Sequence, residues 1–152
     1  MADILFYHLE TQPLERVMPV LLEKTLERGW RAVVETASRE RTEVLDTLLW
    51  TYREDSFLPH GQAGGPADAD QPVLITADDV NPNGAQVRFF VDRAVPRAGE
   101  GYERIVYMFS GHDPDAVAEA RSAWRALRDG NQLTYWQQDP GGRWEKKAQS
   151  AA

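Results

Sequence analysis

Apolar residues fall into two alternating patterns along the chain, short runs and helical spacings. Ile4-Leu-Phe-Tyr-His-Leu9 is a strand-length run ended by Glu10-Thr-Gln-Pro13. Leu14, Val17, Met18, Leu21, Leu22, Thr25 and Leu26 then recur at the spacing of one helix face as far as Arg28-Gly29. Pro19 is costly inside a helix and tolerated in a first turn, so the regular helix is expected to begin near Arg16. Trp30-Arg-Ala-Val-Val-Glu-Thr36 reads as a second strand. Ser38 reads as the cap of a second helix through Tyr52, with Val44, Leu45, Leu48, Leu49 and Tyr52 on its apolar side. Further strands are expected at 72–76, 86–91 and 103–109, the last apolar enough to be central. Asp113-Pro114 supplies the cap and first position of a third helix, which runs to about Arg128 and is closed by Gly130.

A strand-helix-strand-helix order favours parallel pairing through crossover helices. The fold expected is a single-domain three-layer α/β sandwich with a five-strand, mostly parallel sheet and three helices; 131–136 is a candidate edge segment. The domain is expected to span 1–136. Its loop at 61–71, which includes Gly61-Gln-Ala-Gly-Gly-Pro-Ala-Asp-Ala-Asp70, is expected to be flexible, and 137–152 is expected to be a polar tail that frays.

Composition narrows the partners. At 152 residues with 42% hydrophobic and 27% charged positions, the chain suits one buried core. Its net charge of −7 argues against a broad surface for DNA phosphates unless basic residues cluster locally. Proteins are therefore the expected partners, with DNA reached only indirectly. The absence of cysteine excludes a disulfide scaffold, a thiolate nucleophile and cysteine-ligated metals. Met1-Ala-Asp-Ile-Leu-Phe-Tyr-His8 has neither a basic lead nor a long apolar run, so the expectation is a cytoplasmic protein without membrane contact.

Catalytic chemistry finds little support. After the first strand, His8-Leu-Glu-Thr-Gln-Pro13 has no glycines for close phosphate approach and no phosphate-reaching lysine, which disfavours a small nucleotide-binding α/β enzyme. His8, His60 and His112 are too scattered for a local metal motif, and neither a metal nor a cofactor is expected. His8 beside Glu10 would make a base-and-acid pair, but a surface histidine satisfied by its neighbours is the plainer account. Asp78-Asp79 with Asn81-Pro-Asn-Gly84 lacks the spaced ligands of a calcium loop and is read as a turn.

Leu48-Leu-Trp-Thr-Tyr-Arg-Glu-Asp-Ser-Phe-Leu-Pro-His-Gly61 resembles the signature of the chi subunit family of bacterial DNA polymerase III. Phe6-Tyr7-x-Leu9, Arg28-Gly-Trp-Arg-Ala-Val-Val34 and Ala120-Arg-Ser-Ala-Trp-Arg125 extend that similarity in order along the chain. The resemblance implies a nucleotide-binding-like α/β fold without the phosphate loop. It also implies a non-catalytic adaptor that binds the acidic, phenylalanine-ending tail of single-stranded-DNA-binding protein. A second contact is implied with the psi subunit or another clamp-loader component.

Two surfaces fit those partners. On the third helix, Ala116, Ala120, Ala123 and Leu127 centre the apolar side, Val117 and Trp124 flank it, and Arg121, Arg125 and Arg128 continue around. Arginine forks match carboxylates, and Trp124 offers packing for a phenyl ring. Read without the family, Trp124 is core and the arginines pair with Asp115, Glu119 and Asp129; with it, the peptide site is the expectation. The second surface is Trp50 with Phe57, either as contact anchors or as rings closing the edge of the core.

Overall fold

The computed structural model describes residues 3–51, 58–98 and 101–150. Within them lie β1 (Asp3–Leu9), α1 (Leu14–Glu27), β2 (Ala32–Glu35), α2 (Arg39–Thr51), β3 (Gly61–Gln62), β4 (Val73–Thr76), β5 (Val87–Phe90), β6 (Arg104–Ser110), α3 (Pro114–Leu127), β7 (Gln132–Gln138) and β8 (Trp144–Ser150). The strands form one sheet in the order β3-β4-β2-β5-β6-β1-β7-β8, parallel throughout except for the β7–β8 pair. The mostly parallel α/β sandwich is as expected, and β6 is interior, between β5 and β1.

Strand alternation divides the core between two faces. Val34, Ile75, Phe89, Val106 and Met108 meet Met18 and Leu22 of α1 and Leu45 and Leu49 of α2 on one face. Ile4, Phe6, Ile105, Tyr107 and Leu133 meet Ala116 and Ala120 of α3 on the other. Over β4, β2 and β5 the α3 face is closed by loops around the fully buried Arg88. Its guanidinium donates to Glu35, to Tyr102 Oη at 3.0 Å, and to the carbonyls of Val80 and Asp78 at 2.8 Å each. Arg97 bonds the same Glu35 carboxylate at 2.6 and 3.1 Å.

Several expectations change. The sheet has eight strands rather than five. The segment from Gln137, expected to fray, completes β7 and adds β8, which pairs antiparallel with it. A polar strand suffices there because an edge needs backbone pairing and tolerates exposed charged side chains. Part of the 61–71 loop is folded too: Gly61-Gln62 pairs with β4, and the Asp68 carboxylate accepts from the Gly64 and Gly65 amides at 2.8 and 3.0 Å. Helix α1 starts at Leu14 and carries Pro19 inside it, with the Arg16 and Val17 amides bonded to the Pro13 carbonyl. Val44, assigned to the apolar side of α2, is 47% exposed.

The capping assignments hold. Ser38 Oγ accepts from the Arg41 amide at 3.2 Å. Asp113 accepts from the Asp115 and Ala116 amides, Pro114 opens α3, and Gly130 takes φ +84° just past its end. The Asp78–Gly84 segment is a turn: Asn81 Oδ1 accepts from the Ala85 amide, and Asn83 donates to the Ala32 and Gln71 carbonyls.

Candidate protein-binding surfaces

Helix α3 rests on the sheet through Ala116 and Ala120, whose small side chains let it lie close over β1, β6 and β7. Its two flanks then differ. On one, Val117 and Trp124 are half-buried, and the Trp124 ring meets Phe6 edge-on at 5.3 Å and Tyr135 at 6.0 Å. Arg121, Arg125 and Arg128 are exposed beside them. None of the three forms an ion pair among the described residues. Two carboxylates of α3 and its cap are engaged elsewhere: Glu119 accepts from Arg93 Nε at 2.8 Å, and Asp113 pairs with Arg93 at 3.2 Å. Arg93 reaches across because Asp92 and Arg93 both adopt left-handed backbone, φ +48° and +72°, a costly pairing for non-glycine residues.

Sequence reading missed Tyr135. It stands on β7 facing α3 and sits 6.3 Å from Phe6 in a stacked arrangement. Burial pushes its phenol up to about 12, with the nearby Arg121 charge partly opposing that rise. The alternation Leu133, Tyr135, Gln137 is the signal that β7 presents these residues to one face.

Tyr135 also ends a hydrogen-bonded chain. His8 lies 2.6 Å from both Tyr135 Oη and Glu10 Oε1, and because a carboxylate only accepts, His8 Nε2–H donates to Glu10 while Nδ1 of the neutral ring accepts a hydrogen bond from the Tyr135 hydroxyl. The histidine read as a surface residue is thus largely buried, with 11% of its side chain exposed. Gly111 is required beside it: a Cβ there would overlap the imidazole and the Glu10 carboxylate.

This chain borders a 480 Å³ crevice between the C-terminal ends of β1 and β6, where the chain leaves toward opposite faces of the sheet. Open α/β sheets bind nucleotides at such a point. Here the wall sets Glu10, Glu15, Asp92 and Asp113 against Arg93 and His112, an acidic excess opposite in sign to what phosphates need.

The second surface is only partly described. Trp50 is 53% exposed on the last turn of α2, and its ring lies 4.7 Å from His60. His60 is a bracket: Nδ1 sits 2.7 Å from the Leu58 carbonyl and Nε2 3.2 Å from both Asp46 oxygens that face it, tying the Pro59-His60 segment to α2. Phe57 lies outside the described residues.

Comparison with known proteins adds a family to this geometry. Residues 1–134 match the model of the DNA polymerase III chi subunit, HolC. A probable DNA polymerase III subunit chi from Rickettsia prowazekii (strain Madrid E) is 33% identical over 87 residues, 57% of this chain and 53% of that protein. The match spans about half the length of that relative. Strand β8 and the end of β7 lie beyond the family match. On the strength of the match over residues 1–134, the chain belongs to the DNA polymerase III chi subunit family.

Proposed function

We propose that this chain is a non-catalytic accessory subunit that joins the clamp loader to single-stranded-DNA-binding protein by holding the latter's acidic C-terminal tail. The observation that carries the reading is the set of three exposed arginines without a carboxylate partner among the described residues, placed beside half-buried Val117 and Trp124. An acidic peptide supplies the missing anions, and a terminal phenylalanine would lay its ring along the Val117–Trp124 edge while its carboxylate meets an arginine fork. Trp50, exposed on another element, serves a second protein, the psi subunit or another clamp-loader component, together with Phe57.

Titration with a synthetic peptide of several aspartates ending in phenylalanine tests the first surface. Binding of roughly micromolar strength is expected, weakening as salt screens the charges. Arg121→Glu is expected to reduce affinity about tenfold or more, since it removes a partner and adds repulsion. Removing the terminal phenylalanine from the peptide leaves most of its charge. Equal binding of that truncated peptide would show charge attraction without a site.

A further inference from the structure

The sheet face opposite α3 carries a second groove. It has a volume of about 610 Å³ and runs between α1 and the strands β1 and β7, with Trp144 of β8 at its side. Tyr7, Trp136 and Trp144 stand on three neighbouring strands and line it together. Tyr7 and Trp136 are register partners on β1 and β7. Tyr7 and Trp144 touch edge-on, at 4.8 Å and 76°, so they do not stack face to face. Trp136 is held by a 2.9 Å bond from its indole nitrogen to Thr134 Oγ1. All three rings are partly exposed.

Cations surround these rings. Arg16 and Lys24 line the α1 wall, and Lys146 lies opposite Trp136 in the β7–β8 register, hence on the same face. None of the three has an ion-pair partner among the described residues; Lys146 donates instead to Gln149 Oε1 at 3.2 Å. Among the described residues Glu15 is the one acid lining the groove, in a chain whose net charge is −7. The acidic excess is therefore absent locally.

We infer that this groove binds single-stranded DNA, with bases on Tyr7, Trp136 and Trp144 and backbone phosphates at Arg16, Lys24 and Lys146. Aromatic rings on an open sheet face with basic side chains at the rim suit flat, unpaired bases joined by anions, irrespective of sequence. DNA rather than RNA follows from membership of a DNA polymerase subunit family. Tyr135 and Trp136 are consecutive on β7 and point to opposite faces, so a strand bound here leaves the arginine flank of α3 free. Trp136, Trp144 and Lys146 all lie beyond the family match over residues 1–134.

The full chain titrated with fluorescein-labelled oligothymidylate of about ten nucleotides tests this by anisotropy and by quenching of tryptophan fluorescence. Binding at low salt is expected, with the logarithm of affinity falling against that of salt with a slope of roughly −2. Trp144→Ala is expected to weaken binding about tenfold. Lys146→Glu, at an exposed position, is expected to weaken it as well and to flatten the salt slope. Arg121→Glu is expected to leave it unchanged.

Failure to bind at low salt would overturn the inference. So would binding insensitive to both Lys146→Glu and Trp144→Ala, tighter binding of oligouridylate than of oligothymidylate, or displacement of the oligonucleotide by an acidic peptide that retains its affinity for Arg121→Glu.

Discussion

The α3 face of the sheet uses arginine in two opposite ways. Over β2 and β5, Arg88 is 1% exposed and directs its two terminal nitrogens to Glu35, Tyr102 and two carbonyls, while Arg97 bonds both oxygens of the same carboxylate. Its guanidinium also lies 5.6 Å above the Phe90 ring. Along α3, Arg121, Arg125 and Arg128 are exposed and without ion pairs among the described residues. The first group does the work of a helix that is missing there, pinning loops onto the sheet. The second is left for an external anion. What separates the two is the side chains brought opposite each arginine, since the residue type is the same.

The largest effect expected from breaking this comparison is at Arg88. Arg88→Met leaves the buried Glu35 with Arg97 alone and is expected to cost about 3–5 kcal/mol, read from the urea midpoint. Glu35→Gln in the same background should recover part of it. A loss below about 1 kcal/mol for Arg88→Met would mean that the loops hold without the network.

An intermediate effect is expected at high pH. Burial pushes the Tyr107 and Tyr135 phenols up to about 12 from an ordinary value of 10. The folded state therefore favours the neutral phenols. Their contribution is intact below pH 10 and is lost as pH rises through about 12. Thermal midpoints measured from pH 8.5 upward should fall less steeply in Tyr107→Phe and Tyr135→Phe. Arg121→Ala should move the Tyr135 titration further up, because the Arg121 charge opposes the rise.

The smallest stability effect is expected where binding depends most on charge. Replacing Arg121, Arg125 and Arg128 by Ala should each change stability by less than about 0.5 kcal/mol, because no ion pair among the described residues is lost. A triple variant that lost several kcal/mol would place these residues with Arg88 as structural, and the comparison would collapse.

Local signals made much of this legible. The caps at Ser38 and Asp113 were readable because a cap is a contact between a side chain and amides two or three residues away. Val117, Trp124 and the three arginines were placed on one side of α3 because helical periodicity is local as well. By contrast, β8 was hidden. Glu145-Lys-Lys-Ala-Gln-Ser150 carries no apolar alternation, and its strand character comes from backbone pairing with β7. Arg88 was hidden in another way, since a lone charge within the run Val87-Arg-Phe-Phe90 says nothing of the Glu35 that meets it 53 residues away.

The sequence by itself determined the alternating elements, their parallel pairing, the starts of α2 and α3, the end of α3 and the side of α3 that holds its arginines. These follow from steric, capping and hydrophobic-period rules acting over a few residues. Only the tertiary structure decided which charges are neutralised. Glu119 turns to Arg93 rather than Arg121, His8 is enclosed between Glu10 and Tyr135, and Trp136 and Trp144 come to share a face with Tyr7. Each of these outcomes depends on strands and loops distant in the chain arriving side by side, so the physical cause lies in long-range packing that local spacing does not encode.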